Sequence, residues 1–580
     1  MTETTWFIIA IIIYMAAMLA IGYWSYTKTD KYDDYVLADR KLNPFVAAMS
    51  AGASDMSGWL LMGLPGALFV TGMSELWIAI GLLIGAWANW KWVAPRLRAY
   101  SEVANNSITL PSFFENRLRD RSRALRVIAS IIIIFFFTFY VSSGMVAGGR
   151  YFEATFGGEY LTGMLIVAAV TVAYTFIGGF LAVSYTDAVQ GMIMFASLII
   201  VPVMALIALD NPSDIWSWAA NNDYGPYTDG VGNPTYFNMI AGVSAAAIIG
   251  NLAWGLGYFG QPHIVVRFMA LSSPAQAKVG RWIGVGWMLL CIVGATFTAL
   301  IGTVFFSQNP DIAVTDRSAF ETIFLDMGRI LFHPLIAGLV LTAVLAAIMS
   351  TMSSQLLVVS SSLIEDLYKI VAKKVPNEGV LINLSRTAVV VIAVIAGVLA
   401  INPSDTILGL VGFAWAGFGA AFGPLMLASL YWKRLNTPGA VASMITGAVV
   451  VFVWGNFFAD VIYEMVPGFI ASSIVLVAVS LMTSPPKPEV EREFEQAAKL
   501  NTVFRSDENV DIEAAAAEVA GDAIGVQAVG PLEIGNGPGG LRAKDAICIA
   551  RQISQDNQAG LHGPDRVTGG SHFKKYGRHL

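Results

Sequence analysis

Ser50-Ala-Gly-Ala-Ser-Asp-Met-Ser-Gly-Trp59, followed three apolar residues later by Gly63-Leu-Pro-Gly66, decides how the rest of the chain is read. The stretch lies inside an apolar run over 45–70, long enough to cross a hydrocarbon core of ~30 Å. Yet it carries an aspartate near its middle. A carboxylate at that depth costs about 2.5–3.5 kcal/mol on insertion scales, so Asp55 is kept against a penalty. Gly52 and Gly58 flank it, with the hydroxyls of Ser54 and Ser57. Glycine at this density weakens a helix and lets the backbone leave helical geometry. Carbonyl oxygens freed in this way suit a small hard cation such as sodium. Irregular backbone survives at membrane depth only where it lines a cavity or a site. Close helix packing accounts for the glycines, but it does not account for Asp55.

Outward from this segment the chain stays apolar. Of 580 residues, 56% are hydrophobic and only 13% charged; a soluble domain carries about 25% charge. Apolar blocks of roughly membrane length recur in series, and we read about thirteen helices from them. The fold class expected is an all-α polytopic membrane protein. Two cysteines, Cys291 and Cys548, exclude a disulfide framework or a CxxC metal knuckle. Only His263 and His333 fall in the membrane body, so neither a transition-metal cluster nor a buried histidine relaying protons is expected. No nucleophile–base set points to an enzyme, and nothing points to nucleic acid. Basic residues mark the cytoplasmic loops: Lys28, Lys31, Arg40 and Lys41, then Lys91 and Arg96 to Arg126, then Arg267, Lys278 and Arg281, then Lys369, Lys373 and Lys374, then Lys433 and Arg434. Asp210 to Phe237 holds no Lys or Arg. The alternation places the N-terminus outside and the C-terminus inside.

The seventh apolar run, 238–258, leads into a matching defect, Trp254-Gly-Leu-Gly-Tyr-Phe-Gly-Gln-Pro262. One offset of 197 positions superposes Gly58 on Gly255, Gly63 on Gly260 and Pro65 on Pro262. Paired interrupted helices at corresponding places in two halves point to a transporter site. Two five-helix repeats follow, about 45–209 and 238–431, the second inverted. In the ninth run, 334–364, Ala347, Ser350, Thr351 and Ser354 share one helical face. A stripe of small and hydroxyl residues serves packing or, opposite the Asp55 break, an uncharged oxygen cage.

Taken together, these segments resemble the sodium/solute symporter family. The likeness extends through "YDDYVLADRKLNPFVAAMSAGASDMSGWLLMGLPGA" (Tyr32–Ala67), "YTFIGGFLAVSYTDAVQ" (Tyr174–Gln190), "WGLGYFGQPHIVVRFMA" (Trp254–Ala270) and "FAWAGFGAAFGP" (Phe413–Pro424). It covers most of residues 1–483. It implies a LeuT-type 5+5 inverted repeat with discontinuous helices, in a bacterial inner (plasma) membrane. It implies sodium-coupled import by alternating access, with L-proline the favoured solute. Carried over by position, the sodium site falls on Ala53, Met56, Ala347, Ser350 and Thr351, with Asp55 nearby. The substrate pocket falls on Ser57, Gly58, Trp59, Tyr140, Trp254, Tyr258, Gln261 and Pro262, where aromatic rings box the proline ring. Arg40 and Asp187 match family positions as gating candidates, a role weighed against an ordinary one at the membrane border.

Another small solute of the same family is the nearest alternative, and a transporter-like membrane sensor is the alternative from a different class. After residue 483 the composition turns polar and rich in Gly and Ala, so 484–580 is expected to be a flexible cytoplasmic tail. Glu489 to Leu500 has the charge pattern of a short helix.

Overall fold

The computed structural model describes residues 2–27, 32–216, 236–309, 317–372, 377–403 and 406–506. Lys28, Lys31, Lys373 and Lys374, most of the loop from Asp210 to Phe237, and the tail beyond residue 506 lie outside the described residues. The chain divides into two units, Met1–Phe494 and Glu495–Leu580. Of the second, residues 495–506 are described; they are helical and belong to Pro488–Ser506, which covers the stretch read as a short charged helix.

Ten helices among the described residues are long and apolar enough to cross a membrane. That is fewer than the expected number for two reasons. Tyr160–Ala208 is two helical segments joined at a kink and taken together as one, and the two interrupted helices are too short in their pieces, Trp59–Thr71 and Ala245–Gly260, to be included. We label α1 Glu3–Tyr26, α2 Pro44–Asp55, α3 Leu64–Thr71, α4 Met73–Val103, α5 Leu110–Leu118, α6 Ala124–Phe156 and α7 Tyr160–Ala208. In the second half are α8 Ala245–Ala253, α9 Pro262–Met269, α10 Gln276–Gln308, α11 Ile323–Leu331, α12 Pro334–Val371, α13 Glu378–Ala400, α14 Ile407–Tyr431, α15 Thr437–Phe457 and α16 Met465–Met482.

Capping residues set the starts. Asn43 accepts from the Val46 amide, with Pro44 in the first turn of α2. Ser244 and Thr406 accept in the same way from Ala247 and Gly409. Each satisfies an otherwise orphaned amide. The 49 residues of α7 would run about 74 Å if straight, more than twice the hydrocarbon core. The chain bends instead at Gly179, with φ +61° and ψ −159°. A Cβ there would also fall 2.5 Å from the Tyr35 ring. Only glycine fits.

Burial sorts the helices into an inner and an outer set. In α12 and α14, 83% of the apolar window is buried, against 28% in α1, α15 and α16. The outer helices turn Ile8, Ile12, Val449 and Ile474 outward, as lipid-facing surfaces do. Against this centre α4 packs backbone to backbone on the 254–260 turn: a Cβ on Gly85 would lie 2.1 Å from the Gly255 carbonyl. At one end of the bundle a parallel bridge joins Leu42 to Leu271. The Leu42 amide donates to the Ala270 carbonyl, and the Ser272 amide to the Leu42 carbonyl, both at 3.2 Å.

Candidate functional site

Both expected interruptions are present, with different backbones. The first is a change of winding more than an unwound stretch. α2 ends at Asp55, Met56 has φ −75° and ψ 6°, and a π-helical turn, Trp59–Gly63, leads into α3. In the second, α8 passes into a 3-10 turn, Trp254–Gly260, and Gln261 is extended at φ −77° and ψ 109°. Pro262 sits in the first turn of the resuming helix, where a missing amide hydrogen costs nothing; Pro65 directly follows the π-helical turn, within continuous helical winding.

Opposite the first break, α12 presents the hydroxyl stripe read from the sequence. Ser350 donates to the Ala53 carbonyl at 2.8 Å and lies 3.1 Å from the Ala347 carbonyl; Thr351 reaches the Ala53 carbonyl at 3.5 Å. Ala53, Ala347, Ser350 and Thr351 are all buried. Oxygens of two elements 297 residues apart thus converge where the backbone changes pitch. Met56 is buried beside them in sequence and borders a different cavity, together with Asp55.

Asp55 points elsewhere. Its side chain borders the cavity shared with Asn89, Trp90 and Met288. Its carboxylate accepts from the Tyr258 hydroxyl, on the second break. Tyr258 in turn gives its carbonyl to Asn89 Nδ2 at 2.9 Å.

The expected aromatic box is distributed over three neighbouring groups. Tyr140, Ser57 and Gly58 border one cavity with Thr351 and Gln355. Tyr258 faces the Asp55 cavity. Trp254 stacks on Tyr463, with centroids 5.2 Å apart and planes 14° apart, and on Trp415 at 6.4 Å. Its ring is sandwiched by protein. Gln261 donates to the Trp415 carbonyl at 3.0 Å, Pro262 borders a further cavity with Arg267, and Trp59 is buried. In this conformation the four aromatics do not enclose one space.

The two gating candidates have unlike settings. Arg40 binds Asn106, Ser101 and the carbonyls of Ser107 and Met269 at 2.7–3.0 Å. It fastens the first loop to the ends of α4 and α9. Asp187 is enclosed by protein. It is fully buried, paired with Arg267 of α9 at 3.0 Å and hydrogen-bonded by Ser50 at 2.7 Å and Ser354 at 3.2 Å. Four helices, α2, α7, α9 and α12, meet on this pair.

Three residues here were not singled out from the sequence: Trp415, Gln355 and Asn89; Arg267, expected in a basic loop, is instead buried against Asp187. Trp415 carried a signal, its place in the Phe413–Pro424 motif, as Arg267 did in the Trp254–Ala270 motif. His263 corrects the expectation that no histidine is buried: it is fully enclosed, its ring set edge-on to Phe137 at 5.4 Å and Tyr140 at 6.0 Å. Beyond the site, Glu321 pairs with Arg150 and accepts from the Ile407 amide that opens α14. Burial holds its carboxyl above the usual range, with Arg150 acting against that shift. Among the described residues no group of His, Cys, Asp and Glu could hold a metal ion, so any bound cation relies on carbonyls, hydroxyls and isolated carboxylates.

With this geometry in hand, relatives place the chain. A solved Na+-coupled sialic acid symporter, substrate-bound and outward-open, superposes with a TM-score of 0.70 at 19% identity, over 83% of this chain and 99% of that one. The fold is the LeuT type, that of a membrane-embedded secondary transporter. Residues 35–447 match the sodium:solute symporter family. The high-affinity proline transporter PutP of Bacillus subtilis is 52% identical over 478 residues, 82% of this chain and 98% of that protein. The sodium/proline symporter of Salmonella typhimurium is 47% identical over 497 residues, 86% of this chain and 97% of that protein. The chain belongs to the sodium:solute symporter family.

Proposed function

We propose that this protein imports L-proline together with sodium by alternating access. The observation that carries the reading is the meeting of the Ala53 carbonyl with the Ser350 and Thr351 hydroxyls at the first break. Neutral oxygens at that spacing suit sodium, and relatives matched over 97–98% of their own length are named for proline transport. Sodium is held by Ala53, Met56, Ala347, Ser350 and Thr351. Proline binds between Ser57, Gly58, Trp59, Tyr140, Trp254, Tyr258, Gln261 and Pro262, after the separated aromatic groups draw together. Its carboxylate meets the resuming helix ends and its ammonium the aromatic faces. Arg40 and Asp187 act at the gates. The membrane body, 1–483, holds repeats at about 45–209 and 238–431 and about thirteen crossings. It lies in the bacterial inner membrane with the N-terminus outside and the C-terminus in the cytoplasm, and it has no enzymatic role.

One net charge moving inward across 100 mV supplies about 2.3 kcal/mol. Uptake of radiolabelled proline by proteoliposomes should therefore need an inward sodium gradient and grow with an inside-negative potential. Uptake indifferent to sodium, yet abolished by collapsing a pH gradient, overturns the reading. Excess of another small solute blocking uptake better than proline would favour a different substrate in the same pocket.

Ser350→Ala and Thr351→Ala each delete one oxygen of the cluster and spare the aromatics. Half-maximal uptake should then need on the order of tenfold more sodium, the effect of about 1.4 kcal/mol. Apparent proline affinity should recover at saturating sodium. If both variants keep the wild-type sodium curve, α12 is not part of the cation site.

A further inference from the structure

We propose that the lipid-facing border of α4, α10 and α14 holds an anionic phospholipid, whose phosphodiester lies between Lys91 and Arg281. The site is separate from the cation cluster and the solute pocket, and it does not depend on which solute is carried. Lys91 Nζ stands 4.3 Å from the centroid of the Trp87 ring and 5.9 Å from that of Trp92. The Arg281 guanidinium, from α10, approaches the same Trp87 ring at 5.9 Å and the Trp282 ring at 5.7 Å. Two cations from distant parts of the chain thus converge on one indole. The faces of the rings attract both, but they neutralise neither charge.

No carboxylate pairs with them. Among the described residues neither Lys91 nor Arg281 makes an ion pair or a hydrogen bond, and Arg281 Nε is buried without a partner. The contrast with Arg98, Arg119, Arg126, Arg150 and Arg267 is plain, since each of those meets an acidic side chain. Arg96, close by, is already engaged. It lies 4.0 Å over the Tyr431 ring and donates to the Leu430 carbonyl at 2.7 Å, while the Tyr431 hydroxyl donates to the Trp92 carbonyl at 2.8 Å. These contacts hold the end of α14 against α4 and fix the backbone at Trp92.

The surroundings identify the ligand. Trp92, Trp282 and Tyr431 are 45%, 66% and 45% exposed, and they stand where apolar helices meet polar loops. α10 begins at Gln276, α14 ends at Tyr431, and Lys91 follows the apolar stretch Leu76–Ala88. Tryptophan and tyrosine at such a border are ordinary anchors, so the rings alone mark depth. The two unpaired cations add the demand for an anion with several acceptor oxygens. A phosphodiester satisfies it: arginine meets the oxygens with its N–H groups and lysine as a point charge. The exposed indole faces then lie along the acyl chains of the same molecule, a contact that a soluble anion would not make. Basic pockets between membrane helices hold headgroups in this way.

Native mass spectrometry of the full-length protein in detergent, with phosphatidylglycerol or phosphatidylcholine at equal concentration, tests this. The wild type should retain phosphatidylglycerol in preference to phosphatidylcholine. Lys91→Gln combined with Arg281→Gln should lower that retention about fivefold for each charge lost. Arg121→Gln combined with Arg492→Gln, which removes as much charge from exposed positions elsewhere, should keep it. Phosphatidylglycerol should also raise the unfolding temperature of the wild type and not that of the Lys91–Arg281 double variant. Glycerol phosphate, the headgroup without its chains, should raise neither. Equal retention by the two double variants overturns the proposal, as does a wild type that does not distinguish the two lipids. Stabilisation by glycerol phosphate as great as by the lipid would make this a pocket for free anions and overturn it too. The wild-type comparisons need no variant. Should the double variant not fold, Lys91→Gln alone should show a single fivefold loss, and unchanged retention there overturns the site.

Discussion

Asp55→Asn is expected to abolish nearly all sodium-driven proline uptake while leaving the protein folded and inserted. Asparagine has almost the shape of aspartate and keeps an oxygen that can accept from the Tyr258 hydroxyl, so the contact between the two breaks survives. Removing a charge from the membrane interior eases insertion; loss of expression is not the expected outcome. What disappears is the only carboxylate on this cavity, and a cation there has nothing to balance it in a medium of low polarity. Sodium binding must favour the substrate-ready arrangement of the two breaks, so a lost ion lowers proline affinity by the same coupling free energy. Asp55→Glu keeps the charge one methylene out of place and should retain partial uptake at a raised sodium requirement. The measurement is initial uptake against sodium concentration, normalised to protein in the membrane. Near-wild-type uptake and sodium dependence in Asp55→Asn would remove Asp55 from the cation path.

Arg267→Gln should cost the fold about 3–5 kcal/mol, the usual effect of stripping one partner from a buried ion pair. Arg267 and Asp187 are 1% and 0% exposed, so neither charge left alone has water to turn to. Adding Asp187→Asn to Arg267→Gln removes both charges and should restore much of the lost stability. The same hydroxyls of Ser50 and Ser354 can still bond the two neutral amides. Thermal unfolding of the purified protein in detergent reads the difference. If the double variant is no more stable than Arg267→Gln alone, the pair is not what holds α7 and α9 together. Uptake by the double variant is a separate readout: a stable protein with slow transport would assign the pair to the opening step.

The parts of the site legible in sequence are those with a local cause. Gly58, Pro65, Gly260 and Pro262 mark breaks because glycine and proline alter the backbone wherever they stand. Ser350 and Thr351 were visible because helical periodicity puts them on one face with Ala347. Asp55 stood out because charge in an apolar run is costly. Residues whose meaning depends on distant partners were not legible. Asp187 resembled a border residue until Arg267, 80 positions away, proved to lie against it. Trp415 reads as one more membrane aromatic until it stacks on Trp254. Asn89 is an ordinary polar residue until a π-helical turn brings it to Tyr258, 169 positions on. The glycines around Asp55 also overstated the break, because they permit unwinding without requiring it, and here the chain only changes pitch. In α7 the bend falls at Gly179, whose positive φ favours glycine.

The Leu42–Leu271 bridge sits two residues before the start of α2 and two residues past the end of α9. It therefore pins together one end of each interrupted helix. Two struts fastened at a shared pivot cannot slide lengthwise past one another; while the bridge holds, their remaining freedom is an angle. Asp55 lies about 20 Å from that pivot at 1.5 Å per residue. A swing of ten degrees would displace it by about 3.5 Å on such a lever, comparable with the length of one sodium–oxygen–hydrogen contact chain. Small rotations at the bundle end thus become a full ligand's width at the breaks.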